Sequence, residues 1–344
     1  MTFANRLKSI RMQRGFTQQA LGDALGVSKS IISQYEKGKK KPGSATLVAL
    51  ARVFGVHTEY FFSEPKIQLE QVEFRKAYSL TNPKIRGIKA QVADHLEKYL
   101  ELEGFVGAAV PFTNPIQGIP IYNIEDAEAA AEAVLNAWDL GTNPIPNILE
   151  LLEEKGIKVV LVEEDSKFSG MSTYVGDTPV VVLNRTMDIV RLRFTALHEL
   201  GHLLLDLKME EKKAQEKACH RFAGAMLIPD LRTQLGGKRM RIALSELIML
   251  KEYYGASIAS IMYRAGDQGI VSRELLDRFW KRRRQSQELS NEKEGYGDYQ
   301  GEERATRFNQ LLAQALAEEH ITFSKAAYLS GKSISELKDT QFIV

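Results

Sequence analysis

The chain has 344 residues, 44% of them hydrophobic, with 46 lysines and arginines against 44 aspartates and glutamates and a formal charge of +2. That length points to two or three domains, and the near-neutral balance excludes a polyelectrolyte, so any nucleic-acid contact must come from a local patch. One cysteine, Cys219, excludes an intramolecular disulfide and fits a reducing compartment. With no apolar leader after Met1 and no unbroken apolar run of about 18 residues, a cytoplasmic protein without membrane contact is expected.

Residues 1–65 read as short amphipathic helices separated by tight turns at Gly26, Gly38 and Gly55. Thr17 to Ser28, followed by Lys29 to Gly38, gives helix, glycine-containing turn, helix, with Ala20, Leu25 and Val27 as packing contacts. Ser28 is a good N-cap for the second helix, which would carry Lys29, Ser30, Ser33 and Gln34 to base edges, glutamine being suited to adenine. Gln18 and the Lys39–Lys41 run add polar, basic surface, and ten basic against four acidic side chains leave a local excess of six for phosphate contacts. Double-stranded operator DNA is the expected partner. A homodimer would suit a two-fold operator.

Residues 66–119 read as a helical connector, with apolar residues at helical spacing from Ile67 to Gly104, and then a proline- and glycine-rich linker. A second domain is expected over 120–287. It opens with helices at Ile124–Leu140 and Pro144–Lys155. Three short strands follow at Ile157–Val162, Phe168–Val175 and Pro179–Leu183, each rich in β-branched residues and bounded by glycines. The pattern is helical again from Asp188 to about Arg284, where Lys281-Arg-Arg-Arg284 reads as a solvated helix end. Residues 288–303 are polar and glycine-containing, which predicts a flexible linker, and 304–344 a small helical tail. No internal repeat is evident. The expected fold class is therefore multidomain: an all-α N-terminal domain, an α+β domain with a small three-stranded sheet, and a helical C-terminal tail.

The chemistry concentrates in His198-Glu-Leu-Gly-His202. On a helix, residues four apart share a face, so His198 and His202 can hold one Zn²⁺ through their rings, while Glu199 suits the general base toward a water activated there. Gly201 permits close approach of another backbone. A hydrolytic zinc site needs a third protein ligand, and Lys208 stands where one extended form of the motif would place a histidine. The next helix offers Glu210, Glu211, Glu216 and His220. Glu216 is the first choice and His220 the alternative. An oxyanion donor is also required, for which Tyr174 is a candidate, and a strand within 168–184 could hold an extended peptide by strand addition.

These residues resemble a known family. Phe168-Ser-Gly-Met-Ser, Pro179-Val-Val-Val-Leu-Asn184, Arg193-Phe-Thr-Ala-Leu-His-Glu-Leu-Gly-His202 and Glu216-Lys-Ala-Cys-His-Arg-Phe-Ala-Gly-Ala-Met-Leu-Ile-Pro229 are similar to the ImmA/IrrE metallopeptidases over roughly 120–290. Residues 3–62 resemble an XRE-type (Cro/repressor-like) helix-turn-helix domain. The resemblance implies zinc held by His198, His202 and Glu216, with Glu199 as catalytic base. The family usually has asparagine at the position of His220, so a possible supporting role is left open for that residue. It further implies site-specific cleavage of a repressor-type protein by a DNA-binding regulator. The alternative expectation is a DNA-binding regulator or antitoxin-like protein whose zinc domain senses or scaffolds.

Overall fold

The computed structural model describes residues 2–62, 82–292 and 295–339. The chain divides into two compact units, one formed by 1–110, 174–178 and 306–344, the other by 111–173 and 179–305. This partition differs from the expected five-part division, because residues 82–110 of the connector and the tail cluster with the N-terminal module, while residues 111–119 cluster with the second unit. The part of the connector predicted at residues 66–81 lies outside the described residues.

The first unit opens with α1 (Thr2–Gln13), α2 (Gln18–Leu25), α3 (Lys29–Glu36) and α4 (Ser44–Phe54), followed by a single 3₁₀ turn. Polar caps set the boundaries: Thr17 accepts from the Ala20 N–H and Ser28 from the Ile31 N–H, while Gly26 ends α2 in the left-handed conformation at φ 65°. Gly22 is required by close packing, since a Cβ there would lie 2.6 Å from the Val27 carbonyl oxygen. Leu7, Ile10, Leu21, Ile32, Leu50, Phe54 and Phe61 form the core. Helix α5 (Asn82–Val106) packs on this module, and the Arg6 guanidinium pairs with Glu97 at 2.6 Å. The described helix of the predicted connector thus belongs to this unit.

The second unit runs β1 (Pro120–Ile121), α6 (Ile124–Ala137), α7 (Ile148–Glu154), β2 (Lys158–Val162), β3 (Gly170–Val175), β4 (Thr178–Asn184), α8 (Ile189–Leu204), β5 (Asp206–Leu207) and α9 (Lys212–Leu227). It continues through α10 (Arg232–Leu235), α11 (Leu244–Tyr254), α12 (Ile258–Asp267), α13 (Arg273–Gln285) and α14 (Gln287–Asn291). Helix α7 starts four residues later than its predicted start at Pro144, because Asn147 takes the cap and accepts from the Glu150 N–H. The expected three-stranded sheet has the order β2-β4-β3. Strands β2 and β4 are parallel, with Lys158 opposite Val180 and Val162 opposite Asn184. β3 and β4 are joined by only Gly176 and Asp177, a connection that turns the chain antiparallel. Strand β4 is central and nearly all buried, as its continuous apolar run requires. The parallel pair β1 and β5 is only two residues long, too short for a periodicity to reveal it.

Residues 288–303 are a correction to the flexible-linker expectation. The Glu292 carboxylate accepts from the Ile258 and Ala259 N–H groups at 2.9 and 3.2 Å, capping α12. The Glu303 carboxylate accepts from the Ile148 and Leu149 N–H groups at 2.8 and 3.0 Å, capping α7, and pairs with Arg193 of α8. Both side chains of that pair are 0% exposed. Polar residues that read as solvated are here consumed as helix caps and an ion pair.

The tail forms α15 (Arg307–Ala317), α16 (Phe323–Ser330) and α17 (Ile334–Asp339). Leu311, Leu312, Ala315, Ala326 and Ala327 make a core with Tyr99 and Leu102 of α5. On that interface the His95 ring lies 5.1 Å from the Phe308 ring and 6.1 Å from that of Tyr99. Burial, reinforced by Lys98, pushes the imidazole down to about 4. The unfolded chain therefore binds the extra proton between about pH 6.5 and 4, and stability rises with pH across that window. We expect the first unit to lose up to about 3 kcal/mol on acidification from pH 7 to 4 through this group. His95→Phe should remove that contribution, and an imidazole NMR titration with a midpoint near 6.5 would contradict it.

Candidate metal centre and DNA-binding surface

Asp188 caps α8 by accepting from the Arg191 N–H, and the helix then runs 16 residues, so His198 and His202 fall one turn apart on a single face. Their rings are edge to face with centroids 4.8 Å apart, and their Nε2 atoms are 3.2 Å apart. Helix α9 packs against α8 at Gly201, where a Cβ would lie 3.2 Å from the Phe222 ring and 3.4 Å from the Cys219 Cα. That close approach brings Glu216 across. Its Oε1 is 3.1 Å from the His202 Nε2 and its Oε2 is 3.5 Å from the His198 Nε2.

These separations test the donor set. Ligands at about 2.0–2.1 Å from a tetrahedral zinc stand about 3.3 Å from one another, and the three nitrogen and oxygen separations fall on either side of that value. Two imidazoles and a carboxylate are also a suitable hydrolytic set, one that leaves a fourth position open. Among the described residues, His198, His202 and Glu216 form the cluster with such convergence. The set fits Zn²⁺.

Glu199 is 7% exposed and accepts from the Ser172 hydroxyl at 2.9 Å. Burial pushes its carboxyl above the ordinary carboxylate range, against the opposing pull of His198, His202 and Ser172. Ser172 was not singled out from sequence, although it is the last residue of the Phe168-Ser-Gly-Met-Ser motif. Tyr174 lies two residues farther along β3 and is half-buried. His220 is exposed and packs its ring on that of His198 at 4.5 Å and on that of Phe194 at 5.8 Å, outside the convergent cluster. The Cys219 sulfur lies 3.3 Å from the His202 Nδ1, a contact able to orient that ring. Glu216→Ala is expected to abolish bound zinc while His220→Ala retains it. Elemental analysis showing the opposite would reassign the third ligand.

In the N-terminal module, Lys29 and Ser30 are exposed on α3, and Ser33 and Gln34 are partly exposed, with the Gln34 amide 3.4 Å from the Ser30 hydroxyl. Lys39, Lys40 and Lys41 are exposed. Gln18 is held differently: its amide donates to Glu36 at 2.7 Å, and Glu36 also pairs with Arg11, so this side chain ties α2 to α3.

Two family profiles match the chain, Helix-turn-helix at residues 7–61 and IrrE N-terminal-like domain at residues 152–265. The SPbeta prophage-derived uncharacterized HTH-type transcriptional regulator YonR of Bacillus subtilis is 30% identical over 100 residues, covering 28% of this chain and 88% of YonR. The chain belongs to the XRE-type helix-turn-helix regulators and carries an IrrE/ImmA-like domain. The regulator is also similar to the HTH-type transcriptional regulator PuuR of Escherichia coli, at 39% identity over 61 residues, 18% of this chain and 33% of PuuR. The HTH-type transcriptional regulator ImmR of Bacillus subtilis is 28% identical over 67 residues, 20% of this chain and 53% of ImmR. The regulator therefore spans a third of PuuR and about half of ImmR. No helix among the described residues is long and apolar enough to cross a membrane.

Proposed function

We propose that this DNA-binding regulator is also a zinc-dependent endopeptidase that cleaves a repressor-type protein at a specific site. The observation that carries the reading is the convergence of His198, His202 and Glu216 beside a buried Glu199. Zinc, when bound, supplies a Lewis acid that polarises a peptide carbonyl and makes water acidic enough to attack it. Glu199 takes the proton from the attacking water and passes it to the departing amine, work suited to a carboxyl raised toward neutrality. Ser172 holds the Glu199 carboxylate in one orientation. Tyr174 is proposed as the oxyanion donor, and β3, at the edge of the described sheet, as the strand along which an extended substrate adds.

Lys29, Ser30, Ser33 and Gln34 are proposed to read operator bases, with Gln18 bracing the recognition helix and two copies meeting a two-fold operator. Gln34→Ala is expected to weaken operator binding by about 10-fold, the scale of one lost base contact. Unchanged affinity in a gel shift would remove α3 from that role. The test of the peptidase reading is incubation of the zinc-loaded protein with each repressor encoded beside it. A single defined cut supports the reading; intact repressors throughout would leave the IrrE-like domain as a sensor or scaffold.

A further inference from the structure

We propose that the C-terminal segment holds a second helix-turn-helix and that it contacts the same duplex DNA as the first. Thr17 caps α2 by accepting from the Ala20 N–H at 3.0 Å; 305 residues on, Thr322 caps α16 by accepting from the Lys325 N–H at 3.2 Å. Both helices have eight residues. Both end at a left-handed glycine, Gly26 at φ 65° and Gly331 at φ 71°. Two residues later a serine caps the next helix, Ser28 accepting from the Ile31 N–H and Ser333 from the Glu336 N–H.

The buried positions repeat at the same offset. Leu21 and Ala326 are both 0% exposed, and Ile32 and Leu337 are 0% and 5% exposed. Gly22, which must be small because of the Val27 carbonyl, corresponds to Ala327, also small and 2% exposed. Cap, turn and buried face therefore recur together, which one shared turn residue would not require. Over 17–34 and 322–339 the identities kept are Thr17/Thr322, Gly26/Gly331, Ser28/Ser333 and Ser30/Ser335, too few for the sequence to carry a visible repeat.

Both motifs lie in the same compact unit. A groove of about 130 Å³ lies beside the second motif, lined by Arg14 just after α1 and by Lys332 in the turn of that motif, with His57, Lys98 and Asp94 alongside. Lys98 pairs with Asp94 at 2.9 Å. Arg14 and Lys332 are both exposed, placing one cation from the N-terminal module and one from the second motif on one groove, as a passing phosphate backbone requires. Lys332, Ser333, Ser335 and Lys338 are exposed around α17, as is Ile334, an apolar side chain able to meet a thymine methyl. The described tail, residues 304–339, carries five arginines and lysines against four acids, so it lacks the charge excess of the first motif. It binds as an adjunct to that motif, adding base contacts rather than bulk attraction.

The inference rests on DNA binding by the first motif, and the experiment separates the two. Duplexes are selected from a random pool with the full chain, and affinity and footprint are then compared for wild type, Gln34→Ala, Lys332→Glu and Ser335→Glu. We expect Lys332→Glu and Ser335→Glu each to weaken binding about 10-fold and to shorten the footprint on one flank, with unfolding temperatures unchanged. Lys332→Gln, which preserves size, should lower the slope of log K against log salt by about 1. Wild-type affinity and footprint in these variants would overturn the proposal even if Gln34→Ala fails to bind. A changed sedimentation coefficient with unchanged DNA binding would also overturn it, by assigning α17 to self-association. If the wild type selects no duplex, the proposal fails together with its premise.

Discussion

Glu199→Gln is expected to lower repressor cleavage by at least about 100-fold, the lower end of what a positioned general base contributes, with zinc content unchanged. Glutamine has the shape of glutamate and keeps a carbonyl oxygen to accept from the Ser172 hydroxyl, so the local packing survives the substitution. What it loses is the ability to take a proton. Zinc retention follows because Glu199 is not one of the three convergent donors. Cleavage at the wild-type rate in a single-turnover assay would remove Glu199 from the chemistry. Ser172→Ala should give a smaller loss, because it frees the carboxylate to rotate without removing it.

The largest effect on stability is expected at Glu303. Removing it as Glu303→Ala leaves the buried Arg193 of α8 without its counter-charge, a change that costs about 3–5 kcal/mol when one partner of a buried pair is deleted. Arg193 keeps its contacts to the Ile145 and Tyr254 carbonyls at 2.7 and 3.3 Å and to the Tyr299 ring at 4.8 Å, but these do not neutralise a guanidinium. The Ile148 and Leu149 N–H groups lose their cap as well. Glu303→Gln retains a carbonyl acceptor for those groups and should cost less. Urea titration followed by near-ultraviolet circular dichroism would check the order, and equal midpoints for Glu303→Ala and wild type would show the pair to be energetically idle.

Sequence was most informative where a local spacing carries the geometry. Four-residue spacing on a helix puts His198 and His202 on one face whatever else the chain does, and Glu216 could be anticipated because α9 returns antiparallel after a short turn. The helix-turn-helix was equally plain, since its caps and its glycine are all local. What escaped notice depends on partners far apart in sequence. Ser172 reaches Glu199 across 27 residues, and Glu303 reaches Arg193 across 110. No periodicity announces such pairings. The composition of residues 288–303 predicts a solvated linker for the same reason, because composition records polarity but not whether the polar groups meet water or helix ends. The tail's composition predicts helices, whereas its likeness to the N-terminal motif rests on cap positions and burial, with identity confined to a few cap and turn residues.

The partition of the chain has a topological consequence. Residues 111–305, apart from 174–178, which cluster with the first unit, are an insertion into the unit that carries the helix-turn-helix, entered after Val110 and left before Thr306. A doubly tethered insert cannot be shed by one cut. A nick near residue 110 would leave the two halves joined through residue 305, so severing the IrrE-like domain from DNA takes two breaks rather than one.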